Sequence, residues 1–309
     1  MPATALENSE NKNTPWMRLF EKKSFEEWKN IKKNAFEYVN AAPPINFDSL
    51  DSADTDSVSR MKKQCASVNF AVYEVQDTDL SVEETGKALL NFAARFGLKL
   101  REDHRSASEN GVVALTPTSE KSKKGYIPYT PRALNWHTDG YYNPADNQIK
   151  SFFLHCYRPA EAGGVNELID PEIAVMRLYE ADPKMLEAFF HPQAMTIPAN
   201  VEPSGKVRPP SVGPVFFFDE DSSRLQMRYT ARTRSIEWRD DPATKEAVAW
   251  MHEWLAADDP YKVRIRMKAG QGILNNNVLH NRTGFDDDPS SESKRTMLRV
   301  RFHDRAEEK

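Results

Sequence analysis

The apolar runs of this chain are short, rich in β-branched and aromatic residues, and broken off by glycine and proline turns. Ile149 to Tyr157, Val215 to Phe218, Leu225 to Tyr229, Lys262 to Lys268, Ile273 to Asn276 and Met297 to Phe302 all read as strands. Val68 to Val75 is a further β-rich run, and the segment from Glu161 to Asp170 turns back through Gly163-Gly164 into another. Strands this short bury their apolar faces only against a second layer. The pattern predicts an α+β chain that is mainly β: an eight-stranded double-sheet jelly roll, or double-stranded β-helix, with covering helices. Its 309 residues allow one large domain, and no internal repeat is visible.

The helices carry local start signals. Ser24-Phe25-Glu26-Glu27 and Ser81-Val82-Glu83-Glu84 are capping boxes, followed by apolar residues at helical spacing. Ala41-Ala42-Pro43-Pro44 ends the first helix, and Gly97 closes the second. Pro171 opens a third, and Asp241-Pro242 supplies a cap and an N1 proline for a fourth. Residues 1 to 15 are polar and expected to be disordered, and Asp48 to Asp56 reads as a surface connection. The stretch Ser119-Glu120-Lys121-Ser122-Lys123-Lys124-Gly125 is expected to be a mobile loop, either a lid or a plain connection.

A net charge of −4 leaves no electrostatic footprint for nucleic acid. No apolar run is long enough to span a bilayer, and the N-terminus is unlike a signal peptide. Cys65 and Cys156 are too few for a disulfide framework, so a soluble, cytoplasmic protein is expected.

The chemistry centres on Asn135-Trp136-His137-Thr138-Asp139-Gly140. If this is a strand entering a turn, His137 and Asp139 point to the same side and could share one metal ion. A second histidine from far along the chain would complete a face of two imidazoles and one carboxylate, a set that suits non-haem Fe(II). His280, at the end of the apolar run that follows Gly270-Gln271-Gly272, is the candidate.

With the Trp-His-x-Asp tetrad, Asn275 five residues before His280, and Arg295 beyond, residues 60 to 304 resemble the taurine dioxygenase and 2,4-dichlorophenoxyacetate dioxygenase (TauD/TfdA-like) family. The resemblance implies the jelly roll, with residues 1–59 as an N-terminal extension, partly disordered and then helical, and 60–309 as the dioxygenase domain. It also implies Fe(II) held by His137, Asp139 and His280, with 2-oxoglutarate and O2 as cosubstrates. The activity expected is hydroxylation of a small molecule coupled to decarboxylation of 2-oxoglutarate to succinate and CO2. Asp139 fills the position that related halogenases leave to chloride, which favours oxygenation. Desaturation on the same cofactors and a non-catalytic jelly-roll binding protein are the alternatives.

Arg295 matches the arginine that grips the distal carboxylate of 2-oxoglutarate in the family. Asn166 falls where relatives often place a threonine, and its amide could donate to the cosubstrate. Arg299 matches a position that contacts cosubstrate or anionic substrate, and its head is expected to reach past the cosubstrate towards the substrate. Arg228, Arg232 and Arg234 form a basic cluster. They could receive a carboxylate, sulfonate or phosphonate, or could form a solvated face paired with Asp219, Glu220 and Asp221. Tyr126, Tyr129, Tyr141 and Tyr142 wall a pocket or simply pack, and Trp136 is expected to pack. The partner expected is a small, anionic molecule, with a homo-oligomer left open.

Overall fold

A computed structural model of the chain describes residues 14–102, 111–118, 126–201, 205, 207–287 and 294–307. The larger sheets use ten strands: β1 (Ile45–Phe47), β2 (Phe70–Val75), β3 (Val113–Leu115), β4 (Leu134–His137), β5 (Ser151–Arg158), β6 (Asn166–Ile169), β7 (Val263–Ile265), β8 (Gln271–Asn275), β9 (Leu279–Arg282) and β10 (Thr296–Phe302). They form a six-stranded sheet in the order β1-β2-β8-β5-β10-β3 and a four-stranded sheet in the order β7-β6-β9-β4. From β3 to β10 the chain passes repeatedly between the sheets, and the pairing is antiparallel throughout this part. That is the expected eight-stranded jelly roll. Its six-stranded sheet is widened at one edge by β2 and by β1, which pairs with β2 in parallel.

The two-residue period of β10 sorts its side chains. Leu298, Val300 and Phe302 face outward under α2 (Thr55–Val68) and α3 (Val82–Arg95), with Met61, Leu89, Phe92 and Phe96 in one apolar cluster. Met297 belongs to the second cluster, with Cys156, Leu168 and Ile273. Arg299 and Arg301 share the parity of Met297, so β10 carries two cations into the interior of the roll. Between β6 and β7 the chain inserts α4 (Pro171–Ala181), α5 (Pro183–Phe190), short hairpins and α6 (Pro242–Ala256).

α3 begins with the full capping box: Ser81 accepts from the Glu84 amide, and the Glu84 carboxylate accepts from the Ser81 amide at 2.9 Å. The helix α2 begins inside the connection expected over Asp48 to Asp56, runs through residues for which no element was expected, and takes Val68 from the expected strand. Asp54 caps it by accepting from the Ser57 amide at 2.8 Å, and Val58, Met61, Cys65 and Val68 bury its inner face. Asn69, left-handed at φ 66°, then ends the helix and lets the strand start at Phe70.

The first helix, α1 (Phe25–Ala41), follows a 3-10 turn over Pro15–Phe20, so Pro15 is helical rather than disordered. Trp16, Phe20, Phe25 and Trp28 pack with Tyr179 of α4 in the larger apolar cluster. On its buried side Lys32 donates to Asp170 at 2.8 Å and to the Ser67 carbonyl at 2.7 Å, and lies 3.1 Å from Glu172. Residues 1–13 and the loop from Ser119 to Gly125, for which disorder and mobility were expected, lie outside the described residues. No helix among the described residues is long and apolar enough to cross a membrane.

Candidate metal centre

His280 on β9 stands directly opposite His137 on β4 in the sheet register. Side chains of opposed residues in neighbouring strands lie within contact distance, and the two imidazole centres are 4.2 Å apart. β4 ends at His137 and the chain turns through Thr138-Asp139-Gly140. Gly140 has φ +66°, and a Cβ there would come within 2.6 Å of Ile149 Cγ1, so the turn needs glycine. It brings Asp139 back onto the histidine face, with Oδ1 3.7 Å from His137 Nε2. One ligand atom from each of His137, Asp139 and His280 lies within 4.8 Å of the others, and all three residues are buried.

The donor set is prepared for a metal ion. Nδ1 of His137 donates to the Asn135 carbonyl and Nδ1 of His280 to the Val278 carbonyl, both at 2.8 Å. Each bond fixes the tautomer whose Nε2 carries a free lone pair. Burial, with His280 adding to it, pulls the His137 pKa down to about 3, and burial lowers that of His280. Both rings are therefore neutral at physiological pH, the form that ligates. Burial on its own would raise the Asp139 carboxyl, but Arg299 and Arg301 outweigh it and hold the group ionised. Arg299 Nη1 lies 3.2 Å from both carboxylate oxygens and hydrogen-bonds Oδ1. Oδ2 is buried without a hydrogen-bond partner among the described residues, as an oxygen kept for a metal would be.

Asn277 is a part of this site that the sequence reading passed over. Its side chain accepts from the Asp139 amide at 2.7 Å and donates to the carbonyls of Asp139 and Ile149 at 2.9 and 2.8 Å. It sits in a left-handed conformation, φ 52°, in the turn leading to His280, and so clamps the Asp139 turn to the His280 hairpin. Asn277→Ala is expected to weaken metal binding by roughly 10- to 100-fold, the range for groups that orient ligands. Anaerobic Fe(II) titration checks this; unchanged affinity would remove Asn277 from the site. Arg301 was also passed over. It lies 3.9 Å from Asp139, pairs with Glu102, and reaches the Tyr142 hydroxyl at 3.5 Å. The Arg-Val-Arg alternation on β10 was its signal.

Arg295 and Asn166 line one small cavity with Arg266, Gly164, Cys156 and Met297. Arg295 is only 4 % exposed and its guanidinium stacks on Phe285 at 4.8 Å. Among the described residues no carboxylate lies within ion-pair distance of it. The nearest carboxylate, Asp287, accepts from the Arg295 amide at 2.9 Å rather than from its guanidinium, so a dicarboxylate in the cavity would give that buried fork a direct partner. Asn166 is turned towards the Gly164 carbonyl at 3.4 Å.

Three expectations change. The Arg299 head turns to Asp139 rather than towards a substrate, because the buried carboxylate draws it. Arg228 is neither an anion receiver nor a solvated partner of acidic residues. It is 3 % exposed and donates to the carbonyls of Tyr141, Met195, Gly213 and Ser211. Asp219 pairs with Lys150 instead, and Arg234 is exposed. The tyrosines divide: Tyr129 is buried in the core, whereas Tyr141 stands edge-on to His137 at 6.5 Å with Tyr142 beside it. Trp136 packs in the core, as expected, beneath the Lys262 ammonium.

Residues 33–301 match the family described as "Taurine catabolism dioxygenase TauD, TfdA family". A uridine-5'-phosphate dioxygenase of Amycolatopsis sp is 30% identical over 265 residues, covering 82% of this chain and 91% of that one. A uridine-5'-phosphate dioxygenase of Streptomyces sp is 28% identical over 205 residues, 63% of this chain and 70% of that one. Among solved structures, the non-heme iron oxygenase OrfP with Fe, succinate and (3R,4R)-dihydroxy-L-Arg superposes with a TM-score of 0.61 at 14% identity, covering 89% of this chain and 91% of that one. An asparagine oxygenase with Fe(II), 2S,3S-3-hydroxyasparagine and succinate gives 0.56 at 16% identity, covering 88% and 90%.

Proposed function

Because the chain belongs to the TauD/TfdA family and is thereby an Fe(II)- and 2-oxoglutarate-dependent oxygenase, we propose how its own residues serve that activity and what it acts on. His137, Asp139 and His280 hold the iron; Arg295 and Asn166 seat 2-oxoglutarate; the substrate is a small phosphorylated molecule of the nucleoside class. The convergence of three donor atoms within 4.8 Å supports this reading most. Residues 60–309 carry every group involved, and α1 and β1 of residues 1–59 pack onto the same core and sheet.

When bound, iron and 2-oxoglutarate would activate O2, one of its oxygen atoms going to succinate as 2-oxoglutarate loses CO2 and the other to a substrate C–H bond. The chain does the rest. The Nε2 lone pairs and the ionised Asp139 present one face of ligands and leave the other positions open. Arg299 and Arg301 keep Asp139 charged and oriented. The Arg295 fork grips the distal carboxylate of 2-oxoglutarate with two parallel bonds, and the Asn166 amide adds a donor. Leu168, opposite His280 in the sheet register, and Met297 bury the apolar surroundings of the ligands.

The substrate class follows from the two curated relatives named for uridine-5'-phosphate. Succinate release from uridine 5'-monophosphate and from uridine, under Fe(II), 2-oxoglutarate and O2, tests it. The nucleotide should outpace the nucleoside by at least about tenfold at low concentration, the scale of one charged hydrogen bond. Equal rates would discard the phosphorylated substrate. The mass of the product separates hydroxylation from desaturation.

A further inference from the structure

We infer that Arg232, with the Tyr141 hydroxyl, is the anchor for the substrate's phosphate; this rests on the reading of an anionic substrate. Four other arginines near the ligands and Tyr141–Tyr142 are already committed. Arg299 and Arg301 face Asp139, and Arg228 is spent on four carbonyls. Arg208 donates to the carbonyls of Tyr142, Pro198 and Pro209. Arg232 differs. It is half-buried, Nη1 donates to the Tyr141 hydroxyl at 3.1 Å, and no carboxylate among the described residues lies within ion-pair distance of it.

Its position is set by the metal-bearing strand. Thr230 forms a bridge with His137, the Ala231 amide donates to the Trp136 carbonyl at 2.8 Å, and the Thr138 amide donates to the Tyr229 carbonyl at 3.0 Å. Arg232 is the next residue after this ladder, so it keeps a fixed station relative to His137. Tyr141 bridges the gap: its ring stands edge-on to His137, and its hydroxyl meets Arg232. That oxygen accepts from Arg232. A phenol has one proton of its own to give, and Arg232 keeps four further N–H donors. A guanidinium fork and a phenolic donor side by side suit the oxygens of a phosphate monoester.

The test uses the Fe(II)-loaded full chain, with uridine 5'-monophosphate and uridine as probes. Arg232→Gln should raise the nucleotide KM roughly 10- to 100-fold, the range for losing a charged hydrogen-bonding partner, with a much smaller change in kcat. Anaerobic calorimetric titration should show the same rise in the nucleotide Kd and no change for uridine. Arg232→Lys should fall between parent and Gln, and Tyr141→Phe should lose less than Arg232→Gln. If the parent prefers the nucleotide and Arg232→Gln keeps that preference within twofold, the anchor is elsewhere and the inference is overturned while the substrate reading stands. If the parent itself does not prefer the nucleotide, the anionic reading falls and the anchor with it.

Discussion

His280→Ala is expected to reduce succinate formation beyond the roughly 10- to 100-fold that follows from disturbing a group that only orients a ligand, leaving no turnover above background. The imidazole is one of three donors, and two donors do not make a stable face for Fe(II). Its loss should leave the roll standing, because the neutral ring makes one backbone hydrogen bond, to Val278, from a strand held on both sides by β4 and β6. Asp139→Ala should remove turnover equally but also cost stability. It strips the largely buried Arg299 of its carboxylate, while Arg301 keeps Glu102, and breaking a buried charge pair costs about 3–5 kcal/mol. Succinate assays paired with urea unfolding of both variants check the contrast. Appreciable turnover by His280→Ala would sink the ligand assignment.

The second large effect is structural. Lys32→Ala should destabilise the chain by about 3–5 kcal/mol. Its ammonium is buried between Asp170 and Glu172, and Asp170 also caps α4 and accepts from Asn69, whose side chain is held in turn by Arg305. Burial would lower the Lys32 pKa, but the two carboxylates outweigh it and raise it. Removing the cation leaves both carboxylates without their partner in the interior. Lys32→Met, which keeps most of the apolar stem, should lose nearly as much, because the charge and not the packing is at stake. A loss under about 1 kcal/mol in urea unfolding would mean that the network is slack.

What could be read from sequence was mostly local. The Ser81 capping box, the Asp241-Pro242 start and the His-x-Asp spacing depend on residues within one turn or one strand, and each stands where the reading put it; of the box expected at Ser24 only half forms, Ser24 accepting from the Glu27 amide. Sequence proximity does not reveal register. That His280 faces His137, 143 positions earlier in the chain, came from resemblance and not from periodicity. The helix α2 was left unread between the Asp48–Asp56 connection and the Val68 strand because its exposed face is so polar, although Asp54 and the Val58-Met61-Cys65-Val68 spacing were there to be seen. Arg228 was misjudged for a deeper reason: its carbonyl partners come from four separate positions along the chain, and no local pattern announces them. Asn277 looked like one of three similar asparagines. Only the fold shows that each serves a different backbone, and that this one holds Asp139.

The central claim is that His137, Asp139 and His280 together hold one Fe(II) in this oxygenase. Anaerobic equilibrium dialysis against Fe(II), with the parent and a His137→Ala/His280→Ala double variant side by side, measures it most directly. The account predicts one iron per parent chain and none retained by the variant once both are shown to be folded. One iron per chain in the folded double variant would contradict it.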